Sequence, residues 1–212
     1  MKNLKKMAAM ILTASMMLSM AGCSVGGKLP PKKLVASAKK YGCEEIKDVD
    51  DFADMIREGE DLEDGAYMSV TGKDVKDIFK ANDILTDLYD KSIANATVVA
   101  ICDDDRTYYA FLVCMTFDNK KAAQEYYDDM VEDAEDVEDM GYDAEFDDGE
   151  EKGISYTCVT ANIGVANIAE GIYLNGAHVY AVVGYGYATV DDYEDFFEDV
   201  GACYDIILPT DI

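Results

Sequence analysis

His178 is the only histidine in the 212 residues, and it follows closely on the pair Asn175-Gly176. An imidazole can serve as a general base near neutral pH, but no serine or cysteine around it carries a nucleophile signature. Ser-His-Asp catalysis and histidine-based zinc sites would both have to run through this one ring, so neither is supported. Thiols offer other chemistry. Apart from Cys23 there are Cys43, Cys102, Cys114, Cys158 and Cys203, an odd number with no CxxC spacing. That spacing argues against a redox pair or a zinc knuckle, and it leaves at least one thiol free or paired with another chain. Cys102, Cys114 and Cys158 lie in apolar runs and read as small core residues.

Carboxylates are the most abundant reactive groups, 44 in all. They cluster at Asp103-Asp-Asp105, through Asp128 to Asp139, and at Asp147-Asp-Gly-Glu-Glu151. A calcium loop needs oxygen ligands at its first, third and fifth positions, glycine at the sixth and glutamate at the twelfth. Counted from Asp143 the oxygens fall correctly at Glu145 and Asp147, but the sixth residue is Asp148 and the twelfth Ile154, so the motif fails. A glycosidase-like acid pair is conceivable, yet nothing selects one pair among so many acids. Gly184 and Gly186 lack the pattern and the lysine of a phosphate loop; glycines in a strand more often mark a bulge or bend. No catalytic, cofactor-binding or metal-binding residue is assigned.

The elements that must position these groups are legible in outline. Pro31 suits a first helical turn, Leu34, Val35, Ala38 and Tyr41 share a face, and Gly42 is a stop signal. A second helix starts near Asp50. A strand is expected over Ala66–Thr71, and an apolar helical stripe runs from Lys73 to Tyr89 with a break near Asn82. Ala96–Cys102 and Thr107–Phe117 are β-branched and aromatic runs that predict a hairpin. In its register Cys102 opposes Tyr109 and Cys114 opposes Thr97, so these thiols should not bridge. A helix is predicted from about Asn119 to Met140, with Tyr126 and Tyr127 inward, and a strand over Gly153–Thr160.

Ile168–Leu174 and Ala177–Val183 flank Asn175-Gly176, the favoured pair of a type I′ turn, which sets His178 opposite Tyr173. Thr189 and Asp192 look like the start of a last helix carrying Tyr193, Phe196, Phe197, Val200 and Tyr204. An offset of 70 residues lays Tyr126–Met130 over Phe196–Val200 and one turn over the other, which suggests a duplicated ββα unit. The expected fold is α+β: an antiparallel sheet of about five or six strands with packed helices. Both faces of the Tyr109–Phe117 strand are apolar, so helices should cover both, or one face is a partner site.

Residues 1–22 have the layout of a secretory signal: Lys2, Lys5 and Lys6, an apolar segment from Met7 to Met20, then Ala21-Gly22. At about 21 Å as a helix the segment is shorter than a bilayer core of about 30 Å. The run Leu18-Ser-Met-Ala-Gly-Cys23 resembles the lipobox of bacterial lipoproteins, with Met20 where that family usually has leucine. The resemblance implies removal of residues 1–22 and a covalent diacylglyceryl lipid on Cys23. It also implies a short tether over 23–31, a single acidic domain over 32–212, and residence at the extracytoplasmic face of a bacterial cell membrane. Two acyl chains give a stable hold where one gives a marginal one. Free thiols on such an exported protein would suit a reducing habitat.

The formal charge is −26, and removal of the three leader lysines leaves −29. From Ala96 onward 28 acids face 4 bases. Such a surface repels nucleic acid, anionic lipid headgroups and other polyanions and attracts basic partners or divalent cations. The expected function is that of a membrane-anchored, non-catalytic binding module whose partners are the membrane itself and a basic or apolar protein. The alternatives are a divalent-cation-binding surface protein and a carboxylate-based hydrolase.

Overall fold

The computed structural model describes residues 28–59, 62, 64–102, 107–139, 142–187 and 189–212. The protein is α+β, with all eight strands in one mixed sheet. In chain order the elements are α1 (Pro31–Tyr41), β1 (Glu44–Glu45), α2 (Val49–Glu58), β2 (Ala66–Thr71), α3 (Lys73–Phe79), α4 (Asp83–Asp87), β3 (Ile93–Cys102) and β4 (Tyr108–Phe117). Then come α5 (Lys120–Asp139), β5 (Asp143–Glu151), β6 (Ile154–Asn162), β7 (Asn167–Asn175), β8 (His178–Gly186) and α6 (Glu194–Asp199). The strand order is β1-β2-β3-β4-β8-β7-β6-β5, antiparallel except for the short β1–β2 pair.

Six of the eight strands match the runs read from sequence, and the two at the edges, β1 and β5, add to the expected five or six. The reason is chemical. β5 is Asp-Ala-Glu-Phe-Asp-Asp-Gly-Glu-Glu, which lacks the β-branched character of an inner strand. It pairs along its whole length with β6, on one side only. Its hairpin turns at Lys152-Gly153, both at positive φ (52° and 72°), the backbone that a type I′ turn requires.

Local signals explain the helix ends. Gly42 adopts φ 117° and its N–H caps Ala38, and the Asp48 carboxylate accepts from the N–H groups of Asp50 and Asp51. Asn82 breaks the Lys73–Tyr89 stripe by capping α4 through Ile84 N–H. Helices cover both faces of the sheet. Phe111, Val113, Met115 and Phe117 of β4 pack with α2, α3, α4 and α5. Ala110, Leu112 and Cys114 pack with α1, α6 and the C-terminal turns. The apolar strand faces are thus buried within the monomer.

The duplicated ββα unit does not survive. The β3–β4 and β7–β8 hairpins align, but α5 lies on one face of the sheet and α6 on the other. They also differ in length, 20 residues against 6. After β4, Asn119 caps α5 at once through Ala122 N–H. After β8, Gly186 at φ 147° redirects the chain, and a 3-10 turn over Val190–Tyr193 precedes α6, so the helix expected from Thr189 begins late.

Candidate functional site

Cys23, the expected lipid-bearing residue, lies outside the described residues. The chain is first described where it meets the fold. The Lys28 N–H donates to Asn175 Oδ1 at 2.7 Å, and the Asn175 amide donates to the Gly153 carbonyl. Leu29 is buried, with its carbonyl 3.6 Å from Cys114 Sγ. The Pro30 carbonyl accepts from Tyr204 Oη at 3.1 Å. Residues 28–30 are therefore fixed to β4, to the β7–β8 turn and to the C-terminal segment.

Asn175 has its side chain committed to this junction and stays within β7. The two-residue turn is then Gly176-Ala177, with Gly176 at φ 68° in the first position, as in a type II′ turn. His178 consequently opposes Asn175, and Tyr173 opposes Tyr180, so the turn lies one residue further on than expected and each strand partner shifts by two. The imidazole is half-buried; Nδ1 lies 3.1 Å from Thr116 Oγ1, and burial lowers its pKa. It therefore stays neutral at pH 7. Next to it a groove of about 370 Å³ runs between the first turn of α1 and β2–β4, lined by Lys32, Ser69, Asn95, Thr97 and Thr116 among others. Ser69 and Thr97 hydroxyls bond across it at 2.8 Å. This sheet face is polar here because no helix covers it beyond the start of α1.

All five described cysteines are free thiols. The predicted register holds, with Cys102 opposite Tyr109 and Cys114 opposite Thr97. Burial pushes the thiols of Cys114, Cys158 and Cys203 up to about 12 and that of Cys43 to about 11. At pH 7 none of these four is a thiolate, the form that attacks or binds metal. Maleimide labelling of native protein should accordingly leave Cys102, Cys114 and Cys158 unmodified over a time in which denaturant exposes all of them. Fast native labelling at Cys114 or Cys158 would contradict the burial; two disulfides found by mass spectrometry would contradict the free-thiol state.

The acids separate into distinct environments. Asp143, Glu145 and Asp147, the near-match to a calcium loop, lie in the extended strand β5, where they cannot wrap one ion. Asp147 instead accepts from Tyr156 Oη at 3.1 Å. Among the described residues no three histidine, cysteine, aspartate or glutamate side chains converge as metal ligands. A shallow groove of about 560 Å³ runs between α5 and the β5–β6 edge. Its wall carries Asp128, Glu132, Glu135 and Asp148, and its floor holds Tyr127, Val131 and Thr157. The Tyr127 and Thr157 hydroxyls bond at 3.1 Å.

Glu170 is a half-buried carboxylate set within the apolar run of β7. It sits on β7 between Val159 and Val183 in register, on the face that carries Ile172 and Leu174. Burial first, then the charges of Asp133 on α5 and Asp87 on α4, push its pKa up to about 7. Sequence reading missed it, although the signal was present: a lone acid within the apolar run Ile168–Leu174.

Fold and surface together define an acidic α+β sheet protein with helices on both faces. No family model matches the chain, and neither does any curated protein. Among solved structures, the extracellular domain of PknH from Mycobacterium tuberculosis aligns over 84% of this chain and 97% of its own, with 9% sequence identity and a TM-score of 0.39. No helix among the described residues is long and apolar enough to cross a membrane.

Proposed function

We propose that the protein is a lipoprotein held by Cys23 at the extracytoplasmic face of a bacterial membrane. Its folded part acts as a non-catalytic binding module for a basic partner. The observation that carries the reading is the fixed entry of the chain at Lys28–Pro30, five residues after Cys23. A lipid on that cysteine would hold the fold close to the bilayer. The acid-walled groove between α5 and β5–β6 offers the partner surface, because ammonium or guanidinium groups would pair with Asp128, Glu132, Glu135 and Asp148 above an aromatic floor.

Two variants test the two halves of the reading in the native host. Cys23→Ser should move the protein from the membrane fraction to the soluble one; unchanged membrane recovery would remove the anchor. Carbodiimide cross-linking should couple groove carboxylates to partner lysines, and the pair Glu132→Lys and Glu135→Lys should abolish the adduct. An adduct that persists would place the partner elsewhere. A saturating, ion-selective rise in melting temperature with calcium would favour the divalent-cation alternative instead.

A further inference from the structure

The sheet gathers one end of seven strands at the point where the chain enters. The C-termini of β2, β4, β5 and β7 and the N-termini of β3, β6 and β8 all lie there, as the pairs Thr71–Asn95, Ile93–Phe117, Thr116–His178, Asn175–His178, Ser155–Leu174 and Glu151–Ile154 require. Eight of the 15 bases that follow Cys23 stand on or beside this end: Lys28, Lys32 and Lys33 at the start of α1, Lys73 at the start of α3, Lys120 and Lys121 at the start of α5, and Lys91 and Lys152 on turns. All eight are exposed. Three have carboxylate partners: Lys73 with Asp74, Lys121 with Glu125, and Lys152 with Glu151 and Asp205. Among the described residues the other five, Lys28, Lys32, Lys33, Lys91 and Lys120, make no ion pair. Asp118 and Glu150 stand among them.

Several contacts draw these lysines toward one another. The Lys28 ammonium lies over the Gly153 turn, and the Lys120 stem lies beside the Gly176 turn. The Lys33 ammonium is 6.0 Å above the Tyr204 ring. In a chain of net charge −26 the bases are thus collected where the tether arrives. The opposite end, with Asp64, Asp143 and the start of β2, has Lys39 and Lys40 at the end of α1.

We propose that this end is a membrane-docking surface whose lysines meet the phosphates of anionic phospholipid headgroups. Docking would stand the sheet on the bilayer with the opposite end pointing away. The inference rests on the lipid anchor proposed above. The five Cα–Cα steps from Cys23 to Lys28 reach at most about 18 Å, so a lipid on Cys23 keeps this end near the headgroups whatever the domain's orientation. Within a screening length of about 8 Å at physiological salt only the nearest charges count. The lysine end is attracted there, while any other face turned to an anionic surface is repelled. The tether supplies proximity and the lysines supply orientation.

The test uses the full lipidated chain reconstituted into vesicles, with lysine acylation read residue by residue by mass spectrometry. Flotation with pure phosphatidylcholine vesicles comes first, since it depends on the anchor alone. Protein that fails to float loses the anchor, and the docking inference falls with it. For protein that floats, vesicles containing about a third phosphatidylglycerol should slow acylation of Lys28, Lys32, Lys33, Lys91 and Lys120 at least about threefold relative to phosphatidylcholine. Lys39 and Lys40 should react equally on both. About 1 M salt, where the screening length is about 3 Å, should erase the difference. Equal acylation at the five lysines on both surfaces, in protein that floats, overturns the docking surface and leaves the anchor standing.

Discussion

Replacing Glu170 by glutamine should stabilise the protein at pH 8 and do almost nothing at pH 4.5. The carboxyl has an ordinary pKa of 4.5 in the unfolded chain and about 7 in the folded one. Above pH 7 both states are ionised, and the folded state carries a charge pressed between Val159 and Val183 and facing Asp133 and Asp87. As pH falls from 7 toward 4.5 the folded protein takes up a proton that the unfolded chain does not yet hold, so this group's destabilisation disappears across that window. Below 4.5 both states are protonated and nothing further changes.

At about 1.4 kcal/mol per unit, the span is about 3 kcal/mol at most. For a domain of this size that is a rise in melting temperature of roughly 6 to 10 °C at pH 8. The many other carboxylates also titrate, so the quantity to follow is the difference between Glu170→Gln and wild type in urea unfolding across pH. A difference that stays constant from pH 8 to pH 4.5 would show that Glu170 is not held above its ordinary pKa.

The opposite sign is expected for Gly184→Ala, a change that ought to help a strand if only backbone freedom counted. Gly184 pairs with Ala110 on β4 and Ala169 on β7, so three adjacent strands place small residues in one row. The fully buried ring of Tyr193 lies in the trough this row makes. A methyl group on Gly184 would sit 2.9 to 3.0 Å from the ring's Cγ, Cδ1 and Cδ2. The ring has nowhere to go, since Tyr108 meets it edge-on at a centroid distance of 5.4 Å and Phe197 stacks on it at 5.7 Å.

Overpacking of this kind costs about 2 to 3 kcal/mol, or roughly 5 to 10 °C in melting temperature. Tyr193→Leu made in the Gly184→Ala background should recover part of that loss, because the two changes share one contact. If Gly184→Ala melts at or above the wild-type temperature, the trough is not a tight fit.

These two residues mark how far the sequence could be read. The β3–β4 register followed from centring the expected hairpin on Asp105-Arg106, since 102 with 109 and 97 with 114 are then symmetric about that pair. The β7–β8 turn slipped because Asn175-Gly176 is a strong local signal, and only the tertiary contacts of Asn175 with Lys28 and Gly153 keep that asparagine in the strand. Strand β5 was hidden because an edge strand need not be apolar. Gly184 reads from sequence only as a bulge or bend; its packing depends on Ala110, Ala169 and Tyr193, which no linear spacing brings together. The docking lysines were hidden for a related reason: they are scattered from Lys28 to Lys152 and meet only through strand order.

The charged edge at β5 has one more effect. A sheet ends safely only if its last strand refuses a further one, and the two ends here use different means. β1 offers a stub of two residues, and β5 a nine-residue row of backbone groups guarded by six carboxylates, from Asp143 to Glu151. Two copies sliding together edge to edge would bring like charge against like charge before any ladder of hydrogen bonds formed. On the proposed lipid anchor, which would confine the molecules to a plane where neighbours collide far more often than in free solution, this edge would let them reach high surface density and still stay separate.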